Sequence, residues 1–437
     1  MLLGTQRINS RGQLEVGGVE ATALAERFGT PLYVMDEEAL RAKCREYVSA
    51  FRAQAPDTMV SFATKAFLCR AAARLAHEEG LHLDVASLGE LAVVLSAGVP
   101  AEHLTLHGNF KKDDELAHAL RSQVGLIALD SIDEMRALSR LAQSLGRRQR
   151  AIIRVAPGID GHTLDAISTG RSDTKFGLTV ENGAALRAME ECTKLSGVDL
   201  VGLHAHIGSQ ILTLEPFELL AEKLLEFART ARDRTGWTPE VIVLGGGLGI
   251  RYSDEQRPPS VADLAKTLVG AVKRAAHAHG IKMPRIGIEP GRSVVGESGM
   301  TLYRVGPLKE VPAGDAADGS GKRTYVTVDG GLSDNPRPLM YGATYPVYLA
   351  NRASEPASHL VRLCGRHCET DTFFDVKLPL PRPGDIIAVL STGAYNHTMA
   401  SNYNFFCRPP VVFVARGDAR IVVRRETEED LLRRDVG

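Results

Sequence analysis

The 437-residue chain is 44% hydrophobic and 24% charged, the profile of a globular protein, and it is too long for one ordinary core, so two domains are expected. Its 52 Lys and Arg against 53 Asp and Glu give a formal charge of −1, which leaves no electrostatic footprint for nucleic acid or an anionic membrane. Six scattered cysteines without a CxxC pair, no signal-peptide pattern in "MLLGTQRINSRG" and no window of roughly 18–20 apolar residues point to a cytoplasmic protein.

The first 35 residues stand apart from the rest of the chain. "GQLEVGG" reads as a strand added to a β-domain, and "ATALAERFG" as a short helix. From residue 58 to 292 a unit recurs: a short apolar, often β-branched run, then a helical pattern. The runs are "TMVSFATK", "LHLDVAS", "HLTLHGN", "LIALDS", "AIIRVAPG", "VGLHAHIG", "VIVLGGG" and "RIGIEPGR". Segments such as "SLGELAVVLSAG" and "FELLAEKLLEFARTARDR" between them carry apolar residues at spacings of three and four, as amphipathic helices do. Strands alternating with helices imply right-handed crossovers and a parallel sheet. Eight such units fit a closed (β/α)8 barrel, with an open doubly wound sheet as the alternative. Beyond Arg292 the helical period fades. "TLYRVGPLKEV", "RTYVTVDGG", "HLVRLCG", "DIIAVL", "VVFVARG" and "ARIVVRRE" are short β-rich runs separated by Gly, Pro and Asp, and "AGDAADGSGK" reads as an exposed loop. The expected organisation is an N-terminal segment (1–35) joining the β-domain, a barrel (36–292) and a C-terminal antiparallel β-sandwich or β-barrel (293–437).

In such a barrel the chemistry sits at the C-terminal ends of the strands. There the sequence offers Lys65, Asp84 and Ser87, "LHGN", Arg154, His204, His206 and Ser209, "GGGLG", and Glu289 and Arg292 in "EPGR". Lys65 alone reads as a side chain that snorkels to solvent. "GGGLG" is a poor dinucleotide fingerprint, but glycines let backbone amides close around a phosphate, a helix start favours the anion, and "EPGR" on the next strand offers a second set. In "HAH", residues i and i+2 of a strand share a face. The pair could ligate a divalent metal, or one ring could stack on an aromatic cofactor. A lysine amine, a phosphate cradle, a carboxylate and an imidazole together describe a site for pyridoxal phosphate.

With "FATKA", "DVASLGEL", "LHGNFK", "ISTGRSDTKFGL", "GLHAHIGSQI", "GGGLGI", "EPGRSVV", "VDGGLSDNPRPLMYGATY", "GRHCETD" and "TGAYNHTMASNYN" in this order, the chain resembles the barrel-type pyridoxal-phosphate decarboxylases of basic amino acids. The resemblance runs from about residue 30 to 427. It implies that Lys65 holds the cofactor covalently and that His206 stacks on its ring. Ser209, Gly246, Gly247, Pro290, Gly291 and Arg292 bind its phosphate, Glu289 meets the ring nitrogen, and Asp84 supports the same side. It also implies that Arg292, Arg337 and Tyr341 hold the distal end of the substrate and that Glu369 grips the distal amino group. Cys368 donates the proton, and Tyr395 touches cofactor and substrate. No catalytic metal is implied. The implied assembly is a homodimer in which Cys368 and Glu369 come from the partner chain. The implied reaction is decarboxylation of meso-2,6-diaminopimelate to L-lysine and CO2, because two arginines suit a second carboxylate and would repel an ammonium group. A related decarboxylase of another carboxylate-bearing or basic amino acid, and a metal-dependent barrel hydrolase, are the alternatives. A non-catalytic relative would not need both Lys65 and Cys368. Two departures from the family pattern, Leu164 in "HTL" and Asp371 in "CETD", bear on substrate identity.

Overall fold

The computed structural model describes residues 1–159, 174–315, 319 and 321–437. Leu164 and part of "AGDAADGSGK" lie outside the described residues. The chain divides into two compact units. One comprises Lys43–Ile250 and Arg257–Ser293; the other comprises Met1–Ala42, Arg251–Gln256 and Val294–Gly437.

The first unit is the barrel. Its strands are β1 (Thr58–Ala63), β2 (His82–Val85), β3 (Leu104–Leu106), β4 (Leu126–Leu129), β5 (Gln149–Ala156), β6 (Val198–His204), β7 (Val241–Val243) and β8 (Arg285–Ile288). Each pairs in parallel with the next. β8 pairs with β1, which closes the ring. The strands lack an alternating pattern because both faces are covered: side chains such as Met59, Ile152, Val201 and Val243 pack inside and helices cover the outside. Helix starts are set locally. Ser87, Ser131 and Ser260 each accept a hydrogen bond from the backbone N–H three residues on, which satisfies one orphan donor of the first turn. The helix Glu215–Thr235 buries Phe217, Leu220, Leu224, Phe227, Ala228 and Ala231, a stripe at spacings of three and four, and stops at Gly236 in the left-handed conformation.

The second unit is built on a sheet in the order Thr372–Leu378, His359–Cys364, Lys322–Val328, Gly299–Pro312, Leu32–Asp36, Val411–Ala415, Asp418–Val423, with Ile386–Leu390 also on Gly299–Pro312. Its pairings are antiparallel except Lys322–Val328 with His359–Cys364 and Leu32–Asp36 with Val411–Ala415. Two apolar clusters, around Leu32, Met300 and Val412 and around Tyr303, Val326 and Leu363, form its core. The N-terminal expectation needs one correction. "GQLEVGG" does give a strand, Leu14–Val16, but it pairs in a small sheet with Arg7–Ile8 and Val19–Glu20. The segment inserted into the large sheet is Leu32–Asp36, whose residues are buried on both faces. "ATALAERFG" forms the helix Ala21–Phe28 as expected. Among the described residues no disulfide joins the cysteines, and no helix is long and apolar enough to cross a membrane.

Candidate active site

Lys65 lies in a single turn, Thr64–Ala66, that follows β1. Thr64 anchors the turn: its hydroxyl donates to the Asp84 carbonyl at 2.6 Å. Thr64 and Ala66 are fully buried while Lys65 is exposed, so the fold spends two inward residues to present one amine at the barrel mouth. The ammonium group acts on Asp84 and His206.

Glu289, just past β8, is the centre of a polar cluster. Its Oε2 lies 2.9 Å from His204 Nε2 and its Oε1 3.2 Å from His107 Nε2. The two imidazoles are 5.0 Å apart, centre to centre. Burial alone raises the Glu289 carboxyl, but His204 and His107 outweigh it and hold the group well below the usual carboxylate range. Asp84 is driven the other way: burial lifts it well above that range, Glu289 adds to the lift and Lys65 opposes it. Burial keeps His204 and His206 low and therefore neutral. A neutral His204 donates its Nε2–H to Glu289.

The "HAH" pair does not share a strand face. β6 ends at His204, and His206 stands in the loop beyond it, where its Nδ1 accepts the Gly246 N–H at 3.2 Å. The ligand atoms that come together, within 4.8 Å, are those of His107, His204 and Glu289. In the sequence His107 is visible only as part of the third strand end, "LHGN", and it follows β3 directly.

The glycine run packs against the next strand end. A Cβ at Gly246 would sit 2.2 Å from the Glu289 carbonyl oxygen, and one at Gly247, where φ is +119°, would sit 2.6 Å from the Gly208 oxygen. Only glycine allows this approach. The Glu289 N–H donates to the Gly245 carbonyl at 2.7 Å, and the Pro290 carbonyl accepts the Ala63 N–H at 3.1 Å. Gly291 lies against Ala63 and Ala66. Arg292 is buried, and its Nε donates to the Ser209 hydroxyl at 3.0 Å. The expected helix start behind "GGGLG" is not there, because the following helix begins only at Val261. The run is a loop packed on the strand-eight end, without a helix end behind it.

The remaining sequence-derived candidates belong to the second unit. Arg337 is buried among tyrosines: Nη1 donates to the hydroxyls of Tyr252 at 3.1 Å and Tyr345 at 3.3 Å, and the guanidinium lies 5.7–5.9 Å from the ring centres of Tyr252, Tyr341 and Tyr395. Among the described residues no carboxylate pairs with it. Cys368 is exposed on the connection 365–371, where its N–H donates to Asn404 Oδ1 at 3.0 Å. Glu369 beside it accepts from the Tyr403 hydroxyl at 2.8 Å. Asp371 is buried and accepts the Leu332 N–H at 2.8 Å, so this departure from the family pattern faces the protein's own backbone.

Comparison with known proteins identifies the family. The sequence profile "Pyridoxal-dependent decarboxylase, pyridoxal binding domain" matches residues 38–296. The diaminopimelate decarboxylase of Bacillus subtilis is 43% identical over 437 residues, which is 100% of this chain and 98% of that one. The crystal structure of diaminopimelate decarboxylase from M. jannaschii in complex with L-lysine superposes with a TM-score of 0.92 at 33% identity, covering 100% of this chain and 99% of that one. A lysine/ornithine decarboxylase from Vibrio vulnificus, 21% identical with a TM-score of 0.76 over 90% of this chain and 97% of that one, shares the fold.

Proposed function

The chain belongs to the diaminopimelate decarboxylase family of pyridoxal-dependent decarboxylases, and from that membership we propose that it converts meso-2,6-diaminopimelate to L-lysine and CO2. The observation that carries the substrate is Arg337. A buried guanidinium held by tyrosine hydroxyls, with no carboxylate partner among the described residues, is left for an external anion, and the fork of a guanidinium matches a carboxylate bidentately. Diaminopimelate brings a second carboxylate; ornithine and lysine bring an ammonium group there.

The cofactor is pyridoxal 5'-phosphate, and the barrel mouth fits it. The Gly245–Gly247 loop packs so closely on the Glu289 and Gly208 backbone that only glycine fits at Gly246 and Gly247, which brings the two strand-end loops side by side as a phosphate cradle would require. Ser209, Arg292 and these backbone groups would hold the phosphate, the His206 ring would stack, and Lys65 would supply the amine for the aldehyde. When bound, the cofactor supplies an electron sink for the pair left by CO2. Glu289, held ionised by its two histidines, would hold the proton on the ring nitrogen of the bound cofactor; each carboxylate oxygen retains a second acceptor direction beyond His204 and His107. Burial and the Glu289 charge lift the Asp84 carboxyl well above the usual carboxylate range, which disfavours a second negative charge there. Cys368 delivers the proton to the carbon that has lost its carboxylate, and Glu369 receives the distal ammonium group. Tyr341 and Tyr395 flank the arginine that fixes the other end. We assign the working form as a cytoplasmic homodimer in which Cys368 and Glu369 serve a partner subunit's site.

The test is one set of spectra and rates. Purified protein should show a covalent cofactor band that shifts on adding diaminopimelate, and Lys65→Ala should lose both the band and CO2 release. Arg337→Ala should keep the band and raise KM for diaminopimelate by roughly 10- to 100-fold, the loss of a charge-assisted pair. A Lys65→Ala enzyme with normal turnover, or an unchanged KM in Arg337→Ala, contradicts the assignment.

A further inference from the structure

Cys368 and Glu369 sit on a hairpin connection between the strands His359–Cys364 and Thr372–Leu378, and connections of this kind are mobile unless tied down. Here Asp371 closes the base. Its Oδ1 accepts the Leu332 N–H at 2.8 Å, and its Oδ2 accepts the His367 N–H at 3.3 Å and meets His367 Nδ1 at 2.5 Å. The carboxylate fills a slot made by two glycines: a Cβ at Gly331 or Gly365 would lie 2.0 or 1.9 Å from Oδ2. The loop backbone closes on the same residue through Gly365 N–H to the Asp371 carbonyl and Asp371 N–H to the Glu369 carbonyl, each 2.7 Å.

The His367 ring is buried, and Nε2 has no hydrogen-bond partner among the described residues, so Asp371 is the hydrogen-bond partner that the ring has. The ring stacks on Tyr403 and meets Phe406 edge-on, with centroids 6.1 and 4.9 Å away. That segment supplies the two direct contacts of the functional pair, Asn404 to the Cys368 N–H and Tyr403 to Glu369. Asn404 and Phe405 both adopt left-handed backbone angles, φ +52° and +57°, which asparagine tolerates but phenylalanine adopts only where surrounding contacts hold it.

We infer that His367 and Asp371 are positioning residues: the buried imidazole–carboxylate pair fixes the 365–371 connection and the 403–406 segment against each other and so presents Cys368 and Glu369. This rests on the roles proposed above for those two residues.

The experiment uses holoenzyme carrying His367→Phe, His367→Asn or Asp371→Asn. Phenylalanine keeps the aromatic packing and removes the bond. Asparagine at 367 keeps a donor near the place of Nδ1, and asparagine at 371 turns a donor toward the His367 N–H. The measurements are kcat, the cofactor band, and the rate at which iodoacetamide alkylates Cys368, read by peptide mass spectrometry. His367→Phe and Asp371→Asn should retain the cofactor band, lower kcat by roughly 10- to 100-fold, as small displacements of a reacting group do, and change the alkylation rate. His367→Asn should recover part of both. Folded His367→Phe and Asp371→Asn enzymes with wild-type kcat and alkylation overturn the inference. Should they not fold, Asn404→Gly decides on the exposed side of the loop: it removes the acceptor of the Cys368 N–H at a left-handed position that glycine accepts, and wild-type values there also overturn it. Wild-type turnover in Cys368→Ser would instead remove the role of Cys368, while alkylation of the other variants still reports whether the pair fixes the loop.

Discussion

Glu289 and Asp84 show how burial and neighbours separate two like groups. Glu289 has two imidazoles at hydrogen-bond or ion-pair distance that hold its carboxyl well below the usual carboxylate range; burial, with the Glu289 charge adding to it, lifts Asp84 well above that range. The same physics acts away from the site. His82, His77 and His103 form a cluster with ring centres 4.5 Å (82–103) and 5.3 Å (77–103) apart. Burial, then His103 and Arg285, push His82 down from 6.5 to about 4. The folded value lies below the unfolded one, so the unfolded chain takes up the proton first. The stabilisation is complete above pH 6.5 and is lost as pH falls toward 4, at most about 3 kcal/mol and less with solvent screening of the half-buried ring. Denaturant titrations across that window should show a sloping acid limb that His82→Gln flattens; an identical limb in the variant would place the acid sensitivity elsewhere. Legibility at this scale comes from residues read together. Lys65 reads as an ordinary snorkelling lysine until Glu289 and the other strand ends stand beside it, and Cys368 enters only through the resemblance to the family. His107 stays illegible, because an isolated histidine after a strand has no signature until folding sets it 3.2 Å from Glu289. Likewise the pairing of the "HAH" histidines assumes a strand that in fact stops at His204.

Elements owe their placement to a few buried polar ties. Lys111, in the connection after β3, reaches Glu134 Oε1 at 2.9 Å and the carbonyls of Gly108 at 2.8 Å and Ala128 at 2.6 Å, with both side chains almost wholly buried. Glu134 Oε2 in turn accepts the Asp130 N–H at 3.0 Å. The pair therefore joins the connections after β3 and β4 and holds the backbone next to His107. Removing one partner strands a buried charge, so Lys111→Met should lower the unfolding free energy by about 3–5 kcal/mol, while Lys111→Met with Glu134→Leu should recover much of it. Chemical denaturation of the single and double variants measures this; a single-variant loss within error of zero would mean the pair is relaxed or solvated. No sequence pattern announces such a tie, because its partners are 23 positions apart. The barrel strands are legible for the opposite reason: most of their residues are buried, so each stands out as a run dominated by apolar side chains around an occasional polar one such as Asp84 or Arg154. Thr372–Leu378, with burial alternating along "TFFDVKL", has no such run and does not stand out. "GQLEVGG" reads as the strand added to the β-domain, but Leu32–Asp36 enters the large sheet, because pairing across a long sequence separation, not the local string, decides it.

At the scale of the whole molecule the chain interleaves its units. The β-rich unit takes residues from the N-terminus, from Arg251–Gln256 and from Val294 onward, so length and composition alone suggest two domains but not this interleaving. The barrel unit carries Lys65, His206 and Glu289; the other carries Arg337, Cys368 and Glu369. The proposed homodimer makes a statement about which copy serves which site, and subunit mixing tests it without a structure of the complex. Lys65→Ala and Cys368→Ala are each expected to be inactive alone. If Cys368 acts in the partner's site, a mixed dimer contains one site with both defects and one with neither. Random exchange of equal amounts makes about half of the dimers mixed, with one intact site each, so activity should return to about a quarter of wild type. If Lys65 and Cys368 of one copy serve the same site, every site in every mixed dimer lacks one of them and activity stays at the level of the parents. Exchange itself is checked by mass spectrometry of differently labelled subunits, so that absent recovery with proven exchange counts against the shared arrangement.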